Sequence, residues 1–348
     1  MTYRKPDMKP IKFAASCVIS VLLLTINTSW ATAEVNLYSA RKEALIKPLL
    51  DKFTEQTGIT VNLVTGKADA LLTRLKSEGK NTPADIFLTT DAGRLHRAEA
   101  AKLLQPIQSD LLNSSVPKAY RDPEGYWYGL SLRARPIFYV KDKVKPSSLS
   151  TYEALANSEF KGRICIRSSG NIYNQSLVAS MIAAEGDAKT ETWAKGLVGN
   201  MARAPKGGDR DQIKAAAAGQ CDIAVANTYY FAKMLSGNDA AQKKAAEKLA
   251  IFWPNQNGRG AHVNISGAGV TAHAKHKDNA VQLIEFLASE EAQAWYAQVN
   301  FEYPVRDGVK ASEILQQWGD FKADSLNLSR LGDLNSNAVM LMDRAGWK

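Results

Sequence analysis

The sequence predicts an α/β protein of two lobes joined by two crossing strands, with a ligand cleft between the lobes. Three observations predict it. Apolar runs of strand length alternate with stretches of helical periodicity. Two extended segments are longer than an ordinary strand of about 5–6 residues. The chain has 348 residues, 45% hydrophobic and 23% charged, which suits two folded lobes and excludes disordered or low-complexity classes. A core of that size needs no metal or disulfide to hold it.

The first unit opens with the strand Val35 to Ser39. The helix Lys42 to Thr57 follows, with Leu45, Leu49, Leu50 and Phe53 at helical spacing, and Gly58 stops it before the strand Ile59 to Val64. Helices Asp69 to Glu78 and Ala92 to Leu104 flank the strand Asp85 to Thr89, an alternation that argues for a parallel sheet. Tyr126 to Val140 is the first crossing segment. The second unit holds helix Tyr152 to Ala156, strand Ile164 to Arg167, helices Asn174 to Ala184, Glu191 to Met201 and Asp209 to Gly219, strand Cys221 to Ala226 and helix Tyr230 to Leu235. Ala261 to His273 crosses back, and the amphipathic helix Asn279 to Val299 returns to the first lobe. The boundaries expected are 34–133 with 265–305 for the N-terminal lobe and 134–264 with 306–348 for the C-terminal lobe.

Residues 1–33 have the three parts of a secretory signal peptide. Arg4, Lys5, Lys9 and Lys12 make a basic start, Phe13 to Ile26 an apolar run, and Ala31-Thr32-Ala33 a small-residue end, so cleavage is expected after Ala33. The apolar run is too short to span a bilayer, and no later stretch is long enough. Without these residues 40 Lys and Arg face 34 Asp and Glu, a net charge of +6. These charges are interspersed, with no run of five or six of one sign, which argues for a solvated surface and against a nucleic-acid footprint. An exported monomer with no membrane span in its mature part is expected. Its two remaining cysteines, Cys165 and Cys221, both in predicted strands, favour a disulfide over two free thiols.

Ligands of open α/β sheets sit at the carboxyl ends of strands. After the strand ending at Ala226 comes Asn227-Thr228-Tyr229-Tyr230, a helix start whose two tyrosines can both lean toward a cleft. After the strand ending at Arg167 comes a polar loop with Tyr173 at the mouth of a helix. A phenol keeps its proton at neutral pH unless a strong local charge removes it. A trivalent cation does so, and phenolate is a hard anionic oxygen that suits ferric iron, whereas zinc usually comes with His and Cys and calcium with carboxylates. The same tyrosines also suit stacking on an apolar or sugar-like ligand, or packing in the core.

The stretches NLYSARKEALIKPLLDKFTEQTGI, GRICIRSSGNIYNQSLVAS, ANTYY, WPNQNGRGAHVNISGAGV and FEYPV resemble the periplasmic ferric-iron-binding proteins of bacterial ABC importers, the ferric-binding-protein A and FutA-like group. The resemblance runs over essentially the whole mature chain. It implies a type II-like periplasmic binding protein, not an enzyme, that binds Fe(III) through Tyr173, Tyr229 and Tyr230 as phenolates and delivers it to an inner-membrane ABC permease. Where FutA-like relatives carry His-Tyr after the Tyr-Ser-x-Arg stretch, this chain reads Lys42-Glu43. Glu43 is therefore a candidate oxygen donor, with water or a synergistic anion such as carbonate at the open positions. Arg41, Arg133, Arg135 and Arg203 are candidates for the anion's seat or for ion pairs that balance phenolate charge, since guanidinium binds carboxylate and carbonate in a fork.

His96, His262, His273 and His276 lie away from the tyrosine motifs, and the Gly267-Ala268-Gly269 motif lies inside a strand and opens no helix. The alternatives are the same fold binding a ferrous or manganous ion or a small organic anion, and, from another class, a periplasmic hydrolase using Ser168, Ser169 or a tyrosine as nucleophile, which lacks an adjacent histidine base.

Overall fold

The computed structural model describes residues 1–5, 7 and 33–348; the apolar run and most of the predicted signal peptide lie outside the described residues. From Ala33 onward the chain builds two sheets. In chain order the first part comprises β1 (Glu34–Ser39), α1 (Lys47–Thr57), β2 (Thr60–Thr65), α2 (Ala68–Glu78), β3 (Ile86–Thr90), α3 (Ala92–Ala100), β4 (Leu104–Gln105), α4 (Asp110–Ser115) and β5 (Tyr128–Ala134). Then follow β6 (Ile137–Val140), β7 (Ile164–Cys165), α5 (Ile172–Glu185), α6 (Asp187–Gly199), α7 (Asp209–Ala217), β8 (Ile223–Val225), α8 (Thr228–Ser236), α9 (Ala240–Glu247) and β9 (Leu249–Phe252). The last part is β10 (Val263–Thr271), α10 (Lys277–Leu287), α11 (Glu290–Trp295), α12 (Glu313–Gln316), α13 (Ser329–Asp333) and α14 (Asn335–Arg344).

The first sheet runs β2-β1-β3-β10-β4, with β5 also pairing β10. Its β1, β2 and β3 are parallel, and β10 is antiparallel to its partners. The second sheet runs β7-β8-β6-β9, with β7 and β8 parallel. The expected extended segment at Tyr126 to Val140 is thus two strands, β5 in the first sheet and β6 in the second, separated by Arg135 and Pro136. The return crossing departs from expectation: β10 belongs wholly to the first sheet, and the chain crosses between β9 and β10 without a shared strand. Gly267 and Gly269 are the close-approach points of β10, because a Cβ there would stand 2.6 Å from the Tyr128 carbonyl oxygen and 2.4 Å from that of Tyr126.

Three expected helices are shorter. Pro48 lies in the first turn of α1, where its missing N–H is harmless, so residues 43–45 form a separate 3-10 turn. Lys102, at φ 57°, ends the α3 region before β4. The helix expected through Val299 breaks at Ser289, which caps α11, and ends in a π-helical turn Tyr296–Asn300 followed by Phe301 at φ 55°. The core fills the space between sheets and helices with fully buried Trp127, Phe87, Phe138, Tyr152 and Trp347. Cys165 in β7 and Cys221, two residues before β8 and not in a strand, form a disulfide.

Candidate metal centre

Parallel strands start their following helices at one sheet edge, and here the edge belongs to β7 and β8. The chain leaves β7 through the loop 166–171 and enters α5, whose first turn carries Tyr173. It leaves β8 through Ala226-Asn227 and enters α8, whose first turn carries Tyr229 and Tyr230. The three phenols meet. The Tyr229 hydroxyl donates to the Tyr173 hydroxyl at 3.3 Å, and the Tyr229 and Tyr230 ring centroids lie 4.2 Å apart.

Each ring lies under an arginine. The guanidinium carbon of Arg133 is 5.5 Å from the Tyr229 centroid, that of Arg167 5.6 Å from Tyr173, and that of Arg210 5.3 Å from Tyr230. Such cations favour phenolate, but at Tyr229 and Tyr230 burial opposes it more strongly. Burial and the neighbouring Tyr173 and Tyr230 push the Tyr229 hydroxyl well above its ordinary range, against the pull of Arg133. Burial, with Tyr173 and Asp209, pushes Tyr230 up to about 12. The two adjacent phenols are therefore neutral at pH 7 in the ligand-free protein, and a metal that binds them must displace their protons.

The spacing of the tyrosine segments is fixed from behind. Arg135, wholly buried, donates through one terminal nitrogen to Asp209 and Asn227, both at 2.9 Å, and through the other to the Asn174 side chain at 2.7 Å. It thus grips the residue next to Tyr173 and the residue two before Tyr229. Asn227 stands at the N-cap position of α8 but makes no side-chain cap bond; it spends its side-chain oxygen on Arg135, while its backbone N–H donates to Asp209. Asp209 also pairs with Arg167 at 3.3 Å. The loop before Tyr173 is held by Asn174, which donates to the carbonyls of Arg167 and Ser168, and by the Trp347 indole, which donates to the Arg167 carbonyl. Those bonds explain why the strand expected to Arg167 stops at Cys165.

The first-sheet side is built on an ion-pair node. Glu302 accepts from Arg41 at 2.6 Å, from Arg133 at 3.1 Å and from the Ser131 hydroxyl. Burial pushes the Glu302 carboxyl up, but Arg133, Arg41 and the hydrogen bonds outweigh it and hold it down at about 2. Glu302 follows the π-helical turn and the left-handed Phe301, and Arg41 also stacks on the Tyr296 ring at 4.8 Å. Lys233, one turn beyond Tyr230 on α8, is pushed down to about 8, first by burial and then by Arg41, Arg210 and Lys42, against the pull of Glu302. The expected Glu43 is exposed in its 3-10 turn and lines a surface cavity with Lys47 and Asp51. Arg203 donates to Gln212 at 2.9 Å and lines another surface cavity with Lys206 and Lys214.

Sequence reasoning overlooked Glu302, Asp209, Asn174, Arg167, Arg210 and Lys233. A signal existed for the acids: arginines read as facing a cleft need carboxylates, and Glu302 stands within the FEYPV motif. Among the described residues no group of three His, Cys, Asp or Glu is placed to hold a metal, so the tyrosine cluster offers the hard oxygen donors. The half-buried Tyr173 and Tyr229 differ from a stacking platform in that their hydroxyls meet at 3.3 Å.

Comparison with known proteins gives the same direction. The model of the bacterial extracellular solute-binding protein family matches residues 49–323. The chain is 52% identical over 315 residues to "Iron uptake protein A1" of Synechocystis sp., covering 90% of this chain and 88% of that protein. It superposes on the Trichodesmium protein IdiA (FutA), solved in complex with iron and citrate, with a TM-score of 0.89 and 52% identity over 91% of this chain and all of the other. The ferric binding protein of Campylobacter jejuni gives a TM-score of 0.85 at 39% identity, over 90% of this chain and all of that one.

Proposed function

Because the chain belongs to the bacterial extracellular solute-binding protein family, we propose that it is the exported carrier of an iron importer, taking ferric iron through Tyr173, Tyr229 and Tyr230 and handing it to an inner-membrane ABC permease. The observation that carries this reading is the convergence of three phenols, two of them hydrogen-bonded at 3.3 Å, on two parallel strand ends of one sheet. The relatives named for iron and ferric-ion binding support it. In this reading the lobes are 34–133 with 265–305 and 134–264 with 306–348, residues 1–33 direct export to the periplasm, and the carrier acts as a monomer.

Three phenolates balance the charge of a ferric ion, and binding expels their protons. The surrounding cations then exceed what the phenolates need. Arg133 keeps Nη1 without a partner among the described residues, and Arg210 and Lys233 add charge nearby. A small anion such as carbonate or a carboxylate therefore completes the coordination, in place of a ligand from the Lys42-Glu43 loop. A chelating organic anion is the second reading that this charge excess favours, and titration separates the two. Purified protein titrated with Fe(III) should develop a visible phenolate-to-iron absorption with one ion per chain. Fe(II) under anaerobic conditions should not produce it, and citrate or carbonate should sharpen the end point. A chain that binds organic anions but never colours with Fe(III) would overturn the ferric reading.

A further inference from the structure

Asp91 stands where β3 ends and α3 begins, and four observations make it unusual. Its backbone is in the positive region, φ 80° and ψ 123°, which side-chain-bearing residues avoid. It is wholly buried. One carboxylate oxygen accepts from the Gly93 N–H at 2.9 Å and from the Ser176 hydroxyl at 2.7 Å, while the other has no partner among the described residues. Burial raises its pKa, against the hydrogen bonds of Ser176 and Gly93 and the charges of Arg94 and Arg133. An N-cap role accounts for the Gly93 bond alone. It does not require a carboxylate that is buried and held at positive φ.

Ser176 is the group that the N-cap role leaves over. It belongs to α5, three residues after Tyr173 and so on the same helical face, whereas Asp91 directly follows β3 of the first sheet and caps α3. The two elements approach closely at this point: a Cβ added to Gly93 would stand 3.3 Å from Ile172 Cδ1 and 3.7 Å from Ser176 Oγ. Asp91 also receives its own backbone support from β10, through its N–H to the Ile265 carbonyl at 2.8 Å. A carboxylate anchored by its backbone to β10 is thus bonded directly to the turn of the helix that presents Tyr173.

We infer that Asp91 and Ser176 form a latch between the lobes that holds the Tyr173 helix over the bound ion and sets how long the ion is retained. The inference rests on the ferric reading above. Asp91 is a positioning residue here, acting through Ser176 and α5 and not on the metal. Lost in the closed state only, a buried hydrogen bond to a carboxylate changes the opening equilibrium by at least about tenfold. The glycine at 93 keeps the contact close enough to form.

The test uses the iron-loaded protein and its Ser176→Ala and Gly93→Ala variants, with two readouts. Loss of the phenolate-to-iron colour to excess EDTA gives the release rate, and small-angle X-ray scattering gives the openness of the ligand-free and loaded forms. Ser176→Ala should release iron at least about tenfold faster, with the absorption maximum unmoved because the ligands are intact, and its ligand-free form should scatter as a more open particle. Gly93→Ala should act in the same direction by wedging the contact. A Ser176→Ala protein with the parent's release rate and scattering profile would overturn the latch. If the parent never colours with Fe(III), the ferric reading fails by itself, and the scattering of ligand-free Ser176→Ala still decides the latch: more open supports it, unchanged refutes it.

Discussion

The two sides of the cleft solve opposite electrostatic problems. On the second-sheet side the candidate ligands are phenols with arginines above their rings, and burial pushes the Tyr229 and Tyr230 hydroxyls up, so negative charge is missing until a cation displaces their protons. On the first-sheet side the groups are already ionised and already paired, with Glu302 shared between Arg41 and Arg133. In the ferric reading the phenol side is the reactive one, and the Glu302 node opposite it keeps Arg133 beside Tyr229. On that reading a cation lowers its free energy by ionising the tyrosines, and gains nothing by competing with two arginines for Glu302.

The largest effect that breaks this contrast is loss of a phenol hydroxyl. Tyr229→Phe and Tyr230→Phe keep ring packing and remove one oxygen each, so the loss of ferric affinity should go well beyond the roughly 10–100-fold typical of disturbing groups outside the coordination shell. The visible band should weaken or shift in both. A double variant that still binds one ferric ion with the parent's colour would move the centre away from α8.

On the opposite side, Glu302→Gln leaves two buried guanidinium groups without their counter-charge. That change should destabilise the fold by about 3–5 kcal/mol in urea melts at pH 7. The pH dependence has a definite sign. An acid held at about 2 in the folded state instead of 4.5 contributes stability that is complete above about pH 4.5 and is lost as pH falls toward 2, on the order of 3 kcal/mol in all. The gap between parent and variant should hence be constant from pH 5 to 7 and shrink below pH 4.

What the sequence revealed follows the same division. The placement of Tyr173, Tyr229 and Tyr230 at helix starts after strands was legible because local rules set it, and α8 begins one residue before Tyr229 as its Asn-Thr start implies. The Cys165 and Cys221 pair was legible from its count. Glu302 was not, because it meets Arg41 across 261 positions of sequence and no local pattern encodes that distance. Arg135 was noticed but its work was not: three partners from three separate segments, Asp209, Asn227 and Asn174, are visible only once the second sheet is assembled. Helix limits failed where a single residue overrides periodicity, as Pro48 does in the first turn of α1 and Ser289 does before α11.

A smaller effect tests how the phenol side is held. The disulfide joins the strand before Tyr173 to the approach to the strand before Tyr229, across a separation of 56 residues. Cys165→Ser with Cys221→Ser should cost about 2–4 kcal/mol of stability, mainly through the freer unfolded chain. Arg135 and Asp209 would still fix the phenol spacing, so the iron band of the folded variant should stay where it is. A shifted band would instead make the disulfide part of the phenol geometry.

The smallest expected effect concerns Glu43, which occupies the position where a first-lobe ligand is expected from family resemblance. Its side chain is exposed and shares a surface cavity with Lys47 and Asp51, so it carries none of the burial that makes a carboxylate costly to leave without a partner. Lys42 beside it belongs to the same positive field that depresses Lys233. If coordination is completed by a small anion, Glu43→Gln should change ferric affinity by less than about twofold and stability by less than about 0.5 kcal/mol. Lys42→Ala or Lys233→Ala should then weaken iron binding only when the anion is present. A tenfold loss in Glu43→Gln, independent of added anion, would mean that the loop swings in to donate a carboxylate, and the contrast between a reactive side and an already paired side would no longer hold.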